Sequence, residues 1–293
     1  MKVIPGPASI ELGENIAKIM DVESFPVEHR IFPDGESYTR LTGSFGGELV
    51  VIVQSTPFPQ DARLIQLFQM TATAKELGAE RIICCVPYLA YSRQDKRFIE
   101  GEAISLDIVL HLLKSLGADD LIVVDAHNEE SLIRSHIIKT WNLSAIPLLA
   151  KYIMDLGFDG AYSLGPDEGA LHLAKSADEF LKGGFSFFEK RRDRKTGNIE
   201  MKVRDVDVKG RDAIIFDDIV SSGGTMVQAI SGLKQLGARR VVVACTHALF
   251  IGEAEKRIIE AGADLIVATD SIKTKFSRVS VAPVIAQQLE KII

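Results

Sequence analysis

Asp217, Asp218, Ser221, Ser222, Gly223, Gly224 and Thr225 place two carboxylates, three hydroxyls and a glycine pair within nine residues. Glycines let backbone N–H groups close on an anion at a helix N-terminus, and neighbouring hydroxyls add donors. Adjacent carboxylates can accept hydrogen bonds from a vicinal diol, so the set suits a sugar phosphate. No lysine follows the glycines, which excludes a Walker-type nucleotide loop. The plainer alternative is a glycine-rich β–α turn carrying surface acids.

The flanking segments supply the elements that would position this set. Residues 213–216 are an apolar run that reads as a buried strand, and Val227, Ile230, Leu233 and Leu236 fall on one helical face. A phrase of the same kind recurs along the chain. Residues 77–81 (LGAER) lead into IICCVPY, 116–120 (LGADD) into LIVVDAH, 236–240 (LGARR) into VVVACTH, and 261–264 (AGAD) into LIVATD. Each reads as a helix, a glycine C-cap, a short loop and a buried strand. The order of basic and then acidic versions repeats, which points to an internal duplication of one α/β domain. The expected fold is two such domains, each a mostly parallel sheet flanked by helices.

The boundary is expected between Trp141 and Lys151, giving domains 1–143 and 144–293, with the last helix a candidate to pack back on the N-terminal domain. After the strand-like run 49–53 the first half has QSTPFPQDARLIQ, with prolines where the second half has acids and glycines. It keeps the scaffold without the phosphate cradle, so one sugar-phosphate site per chain is expected. Residues 185–203 (FSFFEKRRDRKTGNIEMKV) read as a hairpin flap, 186–203, with a cationic tip. That tip is either a solvated charged loop or a lid for phosphoryl oxygens.

At 293 residues and 46% hydrophobic content, the chain can fill two cores. A net charge of −6 argues against a nucleic-acid binder. Cys84, Cys85 and Cys245 lie in apolar runs without metal spacing, which points to a reducing compartment. The N-terminus does not read as a signal sequence, and no apolar run is long enough for a bilayer. A cytoplasmic protein without membrane or nucleic-acid partners is expected.

Further segments point to a nucleotide. Phe32-Pro33-Asp34-Gly35-Glu36 is a turn with an aromatic face and two acids, on which an adenine could stack, although Pro-Asp-Gly is also a common surface turn. The run YSRQDKR (91–97) turns cationic after a buried strand, and DAHN (125–128) sits at the end of the next one, where open parallel sheets bind ligands.

FPDGE, YSRQDKR, VDAHN, GPDEGA, EKRR and FDDIVSSGGT, in this order, resemble the ribose-phosphate diphosphokinases (phosphoribosyl pyrophosphate synthetases), and GEAIS after RQDKR resembles their archaeal branch. The glycine loop by itself is shared with type I phosphoribosyltransferases. The departures are mild: Ser221 stands where Asp or Ala is frequent, Ser222 where Thr is usual, Gly165 where Ser is common and Ala170 where a second glycine occurs.

The resemblance implies phosphoribosyltransferase-like domains and transfer of a diphosphoryl group from MgATP to the anomeric hydroxyl of ribose 5-phosphate. It places Asp217, Asp218, Ser221, Ser222, Gly223, Gly224, Thr225 and Arg192 on ribose 5-phosphate, and Phe32, Asp34, Gly35, Glu36, Arg93 and Gln94 on ATP. Lys190 and Arg192 become the catalytic pair, and His127, Asp125 and Asp167 the Mg2+ ligands. It also implies a homo-oligomer, dimer or higher, with the ATP site shared between subunits. Histidine is an unusual magnesium ligand, so on residue type a buried, hydrogen-bonded His127 stays open. The rival functions are a phosphoribosyltransferase that consumes the diphosphate and a non-catalytic regulatory homologue.

Overall fold

Each of the four glycine phrases ends a helix in the same way. Gly78, Gly117, Gly237 and Gly262 have φ of 89°, 103°, 82° and 105°, the left-handed region that glycine enters without steric cost. Each donates its N–H to the carbonyl three residues back, while the next alanine's N–H reaches five back. For Gly78 these bonds go to Lys75 at 3.0 Å and from Ala79 to Ala74 at 3.1 Å; for Gly237 they go to Lys234 at 3.0 Å and from Ala238 to Leu233 at 3.0 Å. This is the Schellman closure, and it aims the chain back into a sheet.

The computed structural model describes residues 1–192, 199–203 and 208–293, with side chains outside 190–207. The chain forms two units, Met1–Ser144 with Ser280–Ile293, and Ala145–Val279. The first runs β1 (Lys2–Pro5), α1 (Ile10–Met20), β2 (Val27–Ile31), β3 (Ser37–Leu41), β4 (Leu49–Val53), α2 (Gln60–Glu76), β5 (Arg81–Cys85), α3 (Ser105–Ser115), β6 (Asp120–Val124), α4 (Glu129–Arg134) and β7 (Lys139–Leu143). The second runs α5 (Ile146–Ile153), β8 (Tyr162–Gly165), α6 (Leu171–Leu181), β9 (Phe185–Arg192), β10 (Ile199–Val203), β11 (Ala213–Val220), α7 (Gly224–Gln235), β12 (Val241–Ala248), α8 (Ala254–Glu260), β13 (Leu265–Thr269) and β14 (Ser277–Val279). The final helix α9 (Ala282–Ile292) belongs to the first unit, where it packs on α1.

The sheets have matching strand orders, β1-β4-β5-β6-β7 and β8-β11-β12-β13-β14, all parallel. In the second unit β9 and β10 extend the sheet beyond β8 as an antiparallel hairpin; in the first, β2 and β3 form a separate hairpin. Residues along a strand alternate between faces. Ile215 and Val243 therefore join Ile230 and Leu233 of α7 on one face, while Ile214, Phe216, Val242 and Ala244 join Leu149 of α5 and Ala177 of α6 on the other. Burial on both faces explains why these strands are continuous apolar runs.

Two expectations need correction. β11 does not stop at Phe216: its ladder with β12 continues through Asp217↔Cys245, Ile219↔His247 and Val220↔Ala248, so both acids are strand residues. The buried face of α7 is Met226, Ala229, Ile230 and Leu233; Val227 is only partly buried, and Leu236, past the last helical turn, is 45% exposed. Among the described residues no helix is long and apolar enough to cross a membrane. The three cysteines are buried and unpaired, with the Cys84 thiol pushed up to about 12 by burial.

Candidate functional site

The C-terminal ends of β8 and β11 bring three acids together. Asp217 and Asp218 lie partly buried near the C-terminal end of β11, and Asp167 follows β8 through a tight turn. A Cβ on Gly165 would lie 2.8 to 2.9 Å from the backbone of Ala170 and Asp167, so only glycine fits there. Burial first, then the carboxylates of Asp218 and Asp167, hold the Asp217 carboxyl well above the ordinary carboxylate range. Such a group is stabilised by a cation or by hydroxyl donors at its side.

Beyond the acids, the loop turns its donors one way. The Val220 carbonyl accepts from the N–H groups of Leu249 (3.0 Å) and Phe250 (3.1 Å), the Ser221 carbonyl from Ile251 N–H (3.1 Å), and the Ser222 carbonyl from the Arg257 guanidinium (2.5 Å). In a trans peptide the C=O and the following N–H point in opposite directions. The N–H groups of Ser221, Ser222 and Gly223 therefore face away from those partners. Gly223, at φ 76°, leads into α7, whose first N–H groups have no intrahelical acceptor. From Ser221 to Met226, six successive N–H groups donate no hydrogen bond to the described residues, and no side-chain bond engages the hydroxyls of Ser221, Ser222 or Thr225. Consecutive N–H groups converging at a helix start bind anions.

The nucleotide residues expected from sequence lie in the first unit. Phe32, Asp34, Gly35 and Glu36 form the tip joining β2 to β3, closed by Phe32 N–H to Glu36 O (2.8 Å) and by Glu36 N–H to Asp34 Oδ1 (3.1 Å). Phe32 is 37% exposed; its ring meets Tyr38 edge-on at 6.0 Å, with the Arg30 guanidinium 4.9 Å from its centre. Arg93 is exposed. Gln94 is committed to the start of α3, its Oε1 accepting from Ser105 Oγ at 2.6 Å and its carbonyl from Leu106 N–H at 3.2 Å. No hydrogen bond, ion pair or ring contact among the described residues joins the tip to Arg93 or Gln94.

Asp125 is buried directly after β6 with φ 39°, and His127 is exposed, which removes the buried-histidine alternative. Sequence reasoning missed what holds their loop. Asp95 accepts from Asn128 Nδ2 (2.7 Å) and Ser131 Oγ (2.6 Å), tying the RQDKR segment to the N-cap of α4. It also missed residues 249–251 and Arg257, whose only signal was Gly252 shortly after a strand.

Among the described residues no three His, Cys, Asp or Glu side chains converge as a metal cage. Magnesium is commonly held by one or two carboxylates, with substrate phosphates and water completing its shell. The Asp167 and Asp125 carboxylates are hard oxygen donors of that kind. Lys190 and Arg192 lie on β9, opposite Met201 and Ile199 of β10; their side chains, and the tip with Arg194 and Lys195, lie outside the described residues.

Comparison with known proteins agrees along the chain. Residues 1–117 match the N-terminal domain of ribose phosphate pyrophosphokinase, and residues 145–281 match the phosphoribosyl transferase domain. A ribose-phosphate pyrophosphokinase of Saccharolobus solfataricus is 40% identical over 93% of both chains. One of Methanothermobacter thermautotrophicus is 40% identical over 98% of this chain and 99% of its own. The crystal structure of phosphoribosylpyrophosphate synthetase from Mycobacterium smegmatis superposes with a TM-score of 0.87 at 30% identity, covering 100% of this chain and 98% of that one. With near-complete coverage at this identity, the chain belongs to the ribose-phosphate pyrophosphokinase family.

Proposed function

We propose that the chain makes 5-phosphoribosyl 1-diphosphate and AMP from ribose 5-phosphate and MgATP, moving the β,γ-diphosphoryl group to the anomeric hydroxyl. The observation that carries this reading is the row of six unengaged N–H groups beside Asp217 and Asp218. The 5-phosphate sits on the N–H groups and hydroxyls of residues 221–225, and the two acids accept from the ribose hydroxyls. Phe32, Asp34, Gly35, Glu36, Arg93 and Gln94 bind the adenine nucleotide.

Phosphoryl transfer asks the protein mainly for alignment and charge neutralisation. Lys190 and Arg192 supply cations to the transferred group, and Arg192 also reaches the ribose 5-phosphate side. His127 and Asp125 on the nucleotide side and Asp167 near the sugar would hold Mg2+, which would supply neutralisation of phosphate charge. Among the described residues the tip carrying Phe32 shares no hydrogen bond, ion pair or ring contact with Arg93 or Gln94, which supports an ATP site completed by a second copy in a cytoplasmic homo-oligomer.

AMP formation from MgATP and ribose 5-phosphate, followed by phosphorus NMR, tests the reading. Wild-type protein should form AMP and the diphosphate together, and Lys190→Ala and Arg192→Ala should lower kcat far more than they raise either KM. Pyrophosphate release from the diphosphate and a base without ATP, or unchanged kcat in both variants, would refute it.

A further inference from the structure

We propose that Arg257 is a positioning residue for sugar-phosphate binding, fixing the Ser222–Gly223 peptide so that the Gly223 N–H faces the phosphate. The inference deepens the ribose 5-phosphate reading and rests on it. Three successive carbonyls of the loop are tethered on the side away from the anion, but not by equal means. Those of Val220 and Ser221 are held by the backbone N–H groups of Leu249, Phe250 and Ile251, which any side chains at those positions would supply. That of Ser222 is held by one side chain, through Arg257 Nη2 at 2.5 Å.

Of the three tethered peptides, Ser222–Gly223 also has the most freedom to turn over. It precedes a glycine at φ 76°, and a second glycine follows. Rotating this peptide by half a turn would exchange its N–H for its C=O on the anion side, replacing a donor with a dipole that repels phosphate. Such a rotation needs compensating changes in the ψ of Ser222 and the φ of Gly223, and glycine tolerates either sign of φ. The guanidinium opposes it by holding the carbonyl on the α8 side with a charge-assisted hydrogen bond. The same helix closes the space behind the loop, since a Cβ on Gly223 would meet Ile258 Cδ1 at 3.2 Å and Ala254 Cβ at 3.4 Å. Arg257 is exposed and the only hydrogen bond its side chain makes among the described residues is to Ser222, so no contribution to the core explains its placement. It acts through the loop's backbone, which makes it a positioning residue.

The test compares wild type with Arg257→Met, which keeps the aliphatic stem, and Arg257→Lys, which restores a cationic donor. Steady-state kinetics give both KM values and kcat, calorimetry gives ribose 5-phosphate and inorganic phosphate affinities without turnover, and thermal melting gives stability. Arg257→Met should raise KM for ribose 5-phosphate about 10-fold, with KM for ATP and kcat within about twofold, the pattern of lost uniform binding. It should weaken inorganic phosphate by a similar factor, leave Tm within about 2 °C, and be largely rescued by Arg257→Lys. A ribose 5-phosphate KM within twofold of wild type, or equal increases for both substrates accompanied by a lower Tm, would overturn the proposal. If wild type forms no AMP, the reaction assigned above fails; the phosphate titration of wild type against Arg257→Met still decides the role of Arg257.

Discussion

The two units share a parallel scaffold down to single hydrogen bonds and, apart from where their hairpins attach, differ at the loop that follows β4 in one and β11 in the other. Asp119 accepts the Ile82 N–H on its carboxylate at 2.9 Å and returns its own N–H to the Ile82 carbonyl at 2.9 Å; Asp264 and Val241 repeat both contacts at 2.7 and 2.8 Å. Gly47 N–H bonds to Gly78 O at 3.0 Å, and Gly210 N–H to Gly237 O at 2.8 Å. After β4, however, Gln54, Ser55 and Thr56 are buried and their groups are consumed internally. Thr56 Oγ1 donates to Tyr88 O and accepts from Ala90 N–H, while Gln54 Nε2 donates to Gln66 Oε1. Prolines 57 and 59 have no N–H to offer. After β11 the equivalent loop leaves its N–H groups unengaged. A duplicated fold therefore supplies position, and the loop residues decide whether that position holds an anion.

The sharpest way to break the comparison is to damage the loop. Gly223→Val places a branched Cβ at φ 76° and within 3.2 Å of Ile258 Cδ1, at a strain of about 1–3 kcal/mol before any loss of anion contacts. The kcat/KM for ribose 5-phosphate in an AMP assay should fall by two orders of magnitude or more. A fall below threefold would mean that the loop does not seat the phosphate.

The scaffold should respond symmetrically. Asp119→Ala and Asp264→Ala each leave a strand N–H without its carboxylate partner, at a cost of about 1–3 kcal/mol apiece. Chemical denaturation should find the two losses within about 1 kcal/mol of each other. Asp264 also pairs with Lys234 at 2.6 Å, a half-exposed contact that contributes little. A loss confined to one unit would show that the duplicated contacts are not energetically equivalent.

The smallest effect separates the hairpins. Burial first, then the nearby Arg63 guanidinium, lowers the His29 pKa from 6.5, and neither His29 Nε2 nor Arg63 Nε has a hydrogen-bond partner among the described residues. A histidine titrating lower in the folded than in the unfolded chain is stabilising only while neutral, so stability should decline as pH falls below 6.5. Denaturation midpoints at pH 7.5 and 5.5 should differ less for His29→Phe than for wild type. An unchanged pH dependence would exclude His29 as the source.

Much of this was legible in the sequence because it is local. The four glycine phrases encode their own helix ends, and short β-branched apolar runs such as LVVIV read as strands covered on both faces. The end of β11 was misread because Asp217 and Asp218 break an apolar run, yet polar residues belong at the ligand end of a parallel strand. Beyond the hint of Gly252, Arg257 and residues 249–251 were not legible because their role lies in bonds to a loop some thirty residues earlier. Likewise, nothing in the spacing of Asp95 and Asn128 tells that one fixes the other.

The most direct test of the central claim is amide NMR of the protein titrated with ribose 5-phosphate alone. The account predicts that the N–H resonances of Ser221, Ser222, Gly223, Gly224, Thr225 and Met226 shift together, while those of Gln54, Ser55 and Thr56 stay in place. Shifts centred on the loop after β4, or shifts of equal size at both loops, would contradict it.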